Sequence, residues 1–158
     1  MLLIELLVIV LLLGFAANGF RAGVVEGLGR FVGALVGFWA AKTFAAIPVT
    51  ILGLFLPLSW AYAASFLLLF LIANHLVGFL FKAVDRIFGV LTNLPLLKQI
   101  NEVAGLVLGL LEGIVVIGGV SYLLRHLSLN GGFTSLIVEL KTVQAIETVF
   151  TTILGFLL

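Results

Sequence analysis

The chain has 158 residues, 63% hydrophobic and 9% charged, with mean hydropathy +1.39 and net charge +1. Soluble domains carry roughly 25% charged residues, so lipid must be the solvent for much of this surface. The small, dispersed charge excludes a nucleic-acid patch, and the absence of cysteine excludes disulfides, thiolate metal sites and cysteine nucleophiles.

The length allows one domain, and the first predicted element is a membrane span over residues 2–20. Its apolar run, residues 2–17, is slightly short for a core of roughly 30 Å at about 1.5 Å per residue, and Asn18 to Phe20 complete it. A cleaved signal peptide is the competing reading. The lack of Lys or Arg before the apolar core argues against it.

The stretch from Asn18 to Gly37 organises the chain. It holds two glycine ladders at four-residue spacing, Gly19-Gly23-Gly27 and Gly29-Gly33-Gly37, and the charges Arg21, Glu26 and Arg30. The pattern predicts a sharp turn over Gly19 to Gly23, then a second span over residues 24–47. Pro48 ends that span, because proline disfavours helical geometry in the residue before it. Residues 48–60 read as a hairpin loop at the interface, anchored by Trp60.

Residues 61–81 form a third span, uncharged apart from any proton on His75. Residues 82–101 mix Lys82, Asp85, Arg86, Lys98 and Gln99 with Ile87, Phe88, Leu91 and Leu97. That is the pattern of an amphipathic segment on the membrane surface, broken at Pro95. Residues 103–124 form a fourth span with a third ladder, Gly105-Gly109-Gly113, and one acid, Glu112. Arg125 and His126 suit its C-terminus. In residues 134–158, Lys141, Gln144, Thr148 and Thr151 share one face and Leu140, Val143, Ile146, Val149, Phe150 and Ile153 another. That contrast favours an interfacial helix over a fifth span.

Four spans put the loops after spans one and three on one side, with Arg21, Arg30, Lys82, Arg86 and Lys98. Lys42, Arg125 and Lys141 lie on the other. The positive-inside rule then places the first side in the cytoplasm and both termini outside.

Small residues at i, i+4 let helix backbones approach closely in lipid. The three ladders therefore predict that spans two and four pack together or build an oligomer. Glu112 near mid-span is expensive unless it faces protein or water. It reads either as a polar staple to another helix or as part of an ion or proton path, with Arg30 and His75 as candidate partners. Asn74-His75 reads as an interhelical hydrogen-bonding pair. No nucleophile elbow, phosphate loop or HExxH motif is present. The expectation is a protein that is not an enzyme, with no catalytic residues, cofactor or metal.

At Gly19-Phe20-Arg21, with Gly23 and Glu26, the chain resembles the colicin V production protein family. Residues 100–113, INEVAGLVLGLLEG, resemble that family's later block: a polar start, glycines at four-residue spacing and a closing glycine. Asn18 and Glu112 depart from it, standing where many members carry arginine. The second departure inverts a charge, so a role for that position does not carry over. The resemblance covers roughly residues 1–126. It implies a multi-pass protein of the bacterial inner membrane that serves bacteriocin production or export, or envelope homeostasis.

The reading is an all-α polytopic membrane protein of four spans with interfacial helices at 82–101 and 134–158. Its expected partners are the lipid bilayer and either further copies of itself or other membrane proteins, with no nucleic acid. Two alternatives stand beside this non-enzymatic factor. One is a small channel or transporter subunit with a polar path at Glu112, His75 and Arg30. The other is a structural scaffold for assembly.

Overall fold

A computed structural model describes residues 2–88, 95–126 and 137–157. All regular structure among them is helical: α1 (Leu2–Phe44), α2 (Ala46–Leu52), α3 (Leu58–Phe88), α4 (Pro95–His126) and α5 (Lys141–Leu157). Among the described residues, three helices are long and apolar enough to cross a membrane: α1, α3 over Leu58–Val84 and α4 over Lys98–Arg125.

Residues 2–44 run as two helical arms joined at one residue, Gly23, with φ 78° and ψ −174°. That backbone region is open essentially to glycine alone. The contacts on either side of Gly23 show what the break does. Before it, Leu12 and Phe15 face Gly113, Gly19 faces Gly105 and Gly109, and Gly23 faces Asn101. After it, Gly27 faces Gly105 and Leu108, Arg30 reaches Glu112, and Phe38 meets Gly119. The first arm therefore descends α4 and the second climbs it. At about 1.5 Å per residue, the 43 residues of α1 give about 64 Å of helix, twice a hydrocarbon core of roughly 30 Å.

α3 lies antiparallel to the second arm, with Phe81 at Gly29, Asn74 at Gly33 and Phe70 at Gly37. The second glycine ladder thus meets α3, where the sequence pointed to the fourth span. Gly23, the end of α3 and the start of α4 share one end of the bundle. The amino terminus, the α1–α3 connection and the end of α4 share the other.

Several boundaries differ from the sequence reading. The second arm stops at Phe44, three residues before its expected end, and Pro48 sits inside the first turn of α2. Trp60 lies in the first turn of α3 and is exposed. The expected surface segment 82–101 is divided: residues 82–88 continue α3, and 95–101 open α4. Pro95 starts that helix where a break was expected, because the first helical position needs no N–H donor. Its middle, residues 89–94, lies outside the described residues, as do residues 134–136 of the expected C-terminal helix.

The apolar face of α5 turns onto the bundle. Leu140, Val143, Ile146 and Phe150 are buried, while Val149 on the same predicted face is exposed. Gly118 leaves the space that Phe150 fills. Phe38 is the hub of this core, edge-on to Phe66 at 5.7 Å, Tyr122 at 5.5 Å and Phe150 at 4.9 Å between ring centroids, spacings favourable for aromatic pairs. Arg125 clamps α5 in place through Glu147 at 2.9 Å, and Ser121 donates to the same carboxylate at 2.9 Å. Exposed Thr148, Thr151 and Thr152 donate their hydroxyls to carbonyls of their own helix, which satisfies them in any solvent.

Candidate functional site: a polar cleft at the glycine turn

The glycines set the geometry. A methyl at Gly19 would overlap Gly105 O, one at Gly105 would overlap Gly19 O, and one at Gly109 would overlap Phe15 O. With no Cβ between them, the first arm and α4 touch backbone to backbone. At the turn, Asn101 Oδ1 accepts the Val24 N–H at 2.8 Å. Val24 opens the second arm, so Asn101 caps that helix from a neighbouring one. The space it uses is the one a side chain at Gly23 would fill.

This turn brings the second arm's polar residues to α3 and α4. Two ion pairs form in tiers. Near the turn, Lys82 Nζ lies 3.9 Å from Glu26 Oε1, with the lysine side chain largely exposed. One helical turn deeper, Arg30 Nε lies 3.3 Å from Glu112 Oε2, with side chains only 17% and 7% exposed. Asn74, His75, Gly78 and Phe79 of α3 complete a cleft of about 240 Å³ above this deeper pair. The three residues flagged by the sequence as a polar group, Arg30, His75 and Glu112, all line it. Arg30 and Glu112 touch; His75 stands on the exposed α3 wall without an ion pair among the described residues.

The floor is only partly satisfied. Arg30 and Glu112 are close enough to pair but not aligned as a hydrogen bond. Arg30 Nε and Nη2 and Glu112 Oε2 are buried without a hydrogen-bond partner among the described residues. Buried polar groups in that state cost stability. One turn beyond the floor on each helix, Ala34, Phe70 and Val115 are all buried and form an apolar layer that closes the cleft. The cleft is therefore blind at its floor, and it opens toward the Gly23 end and sideways past His75, Phe79 and Lys82.

Of the other residues singled out, Phe20 and Arg21 are exposed, and Glu26 joins the upper tier. The sequence reading missed Asn101, the Glu26–Lys82 pair, and Gly118 and Gly119, which seat Phe150 and Phe38. Asn101 lay in a segment read as interfacial. Among the described residues no group of three His, Cys, Asp or Glu is arranged to hold a metal ion.

A family model described as Colicin V production protein matches residues 4–150. The match extends past the residue-126 limit of the resemblance and takes in most of α5. No curated protein and no solved structure matches the chain.

Proposed function

The chain belongs to the colicin V production family, and on that premise we propose that it is a non-enzymatic, four-span protein of the bacterial inner membrane serving peptide-toxin production or export. The two arms of α1 count as two spans, because each is about 30 Å long and they run in opposite directions along α4. The observation that carries the reading is the buried apolar layer of Ala34, Phe70 and Val115 just beyond Glu112. A single chain offers no polar route from one end to the other among the described residues, so the protein acts by contact with partners or further copies. The test is toxin release from producer cells lacking the chain, complemented with wild type or Gly109→Leu. Wild type restores toxin to the medium and the variant does not. Equal release with and without the chain would sink the reading.

The second reading, a channel or transporter subunit, draws on the gathering of Arg30, His75 and Glu112 in one cleft. It requires a second chain to complete the path. Proton or ion flux in liposomes holding the purified protein tests it: flux that Glu112→Gln abolishes would favour this reading over the accessory factor.

A further inference from the structure

We infer that the blind cleft binds a zwitterionic group carrying a phosphate and a primary ammonium, the chemistry of a phosphoethanolamine headgroup. The site stands on its own geometry, whether or not the protein serves toxin export.

The floor sets the chemistry. Arg30 Nε and Glu112 Oε2 face each other at 3.3 Å as an ion pair without hydrogen-bond alignment, and Arg30 Nη2 is buried beside them with no hydrogen-bond partner among the described residues; Glu112 is 6% exposed. A ligand that satisfies both must carry an acceptor and a donor a few ångströms apart. The upper tier repeats the demand with Lys82 and Glu26. The two cations and two carboxylates cancel. A purely anionic group meets the repulsion of Glu26 and Glu112, and a simple cation that of Arg30 and Lys82. Such unfavourable pairings are what discriminate among ligands. A trimethylated ammonium balances the charge, yet it has no N–H for Glu112. Phosphate suits the arginine, whose planar fork binds its oxygens in pairs.

Size and access agree with this. About 240 Å³ falls below the roughly 300–1,000 Å³ that encloses a drug-sized ligand, so the cleft takes a headgroup. Its α3 wall is open to the surroundings at His75, Phe79 and Lys82. Phe79 beside the polar mouth gives an acyl chain an apolar surface to follow. The ligand's two sources are a membrane lipid entering along that wall and a soluble phosphoethanolamine entering from the Gly23 end.

The test uses the full chain in phosphatidylcholine nanodiscs, with phosphatidylethanolamine or phosphatidylglycerol titrated in and retained lipid counted by native mass spectrometry. The ethanolamine lipid is expected to be retained at about tenfold lower mole fraction than either other lipid, the worth of one charge-assisted hydrogen bond. Glu112→Gln brings its retention to the level of phosphatidylcholine. Lys82→Gln, at the exposed mouth where folding is not at stake, lowers it severalfold. Displacement of the lipid by free phosphoethanolamine assigns a soluble ligand, and retention against it assigns the lipid. Equal retention of all three lipids by the wild type overturns the proposal. So does a preference that survives Lys82→Gln and Glu112→Gln unchanged.

Discussion

Gly19 and Gly105 clear space for each other, each occupying the place a methyl on the other would need. Gly29, Gly33 and Gly37 clear space for Phe81, Asn74 and Phe70, none of them glycine. The first contact is reciprocal and the second one-sided. Two matching ladders in one sequence announce a reciprocal contact, since each is a local pattern; the sequence pointed to spans two and four, and Gly19 meets Gly105 from the first arm. A one-sided contact announces only that something comes close. The second ladder could not name α3 as its partner, because α3 carries no matching pattern.

The largest expected effect breaks the reciprocal side. Gly105→Leu drives a side chain into the backbone at Gly19 and Gly23. No rotamer relieves an overlap that begins at Cβ, so overpacking here exceeds the usual range of about 1–3 kcal/mol. The variant is expected to lose its monodisperse folded form in detergent. A normal melting transition would show that the first arm does not lie on α4.

The next effect tests what the reciprocal contact positions. Arg30→Leu leaves the buried Glu112 without its cation and is expected to cost up to about 3–5 kcal/mol, the usual range for removing one partner of a buried pair. Arg30→Leu with Glu112→Leu is expected to be close to neutral. Unfolding free energies of the two variants and wild type check this. A double variant as unstable as the single one would mean that the pair is not coupled as the 3.3 Å contact implies. Gly23→Ala follows at about 1–3 kcal/mol for a side chain at φ 78°, with further loss because Asn101 must move. Its partner variant Asn101→Ala keeps the glycine and removes the cap on Val24, at about 1 kcal/mol. If both cost nothing, the turn is held by something other than this residue pair.

What the sequence disclosed and what it withheld follow one physical division. The glycine turn, the ladders and the rarity of a charge at Glu112 are local signals, carried within a few residues. The family resemblance rests on those same blocks, and the family match over residues 4–150 agrees with it. What covers an apolar face is not local. The contrast between the two faces of residues 140–153 predicts a sided helix, read as interfacial, but does not name the protein surface that covers its apolar face. The covering group turns out to be the Phe38 cluster, admitted by Gly118 and Gly119, a pair outside any four-residue ladder. Asn101 was hidden for the same reason, since its partner Val24 is 77 residues away. The segment 82–101 reads as one amphipathic stretch because charges at the ends of two helices look, in sequence, like the polar face of one.

The smallest effect is the sharpest probe of the expected oligomer. Gly14 lies on the first arm five residues before Gly19, and a Cβ there meets nothing within 4 Å. Within one chain, Gly14→Ala removes backbone freedom from the unfolded state without a clash. It is expected to be neutral or stabilising by about 0.4–1 kcal/mol. A second copy packed closely on this face would reverse the sign, since the added methyl would then meet a neighbour's backbone as Gly19 meets Gly105. Unfolding measured in parallel with the size of the detergent-solubilised particle separates the cases. Unchanged size with equal or greater stability leaves this face to lipid. A smaller particle with lower stability would place a partner helix against Gly14 and give the first arm a reciprocal contact on both of its sides.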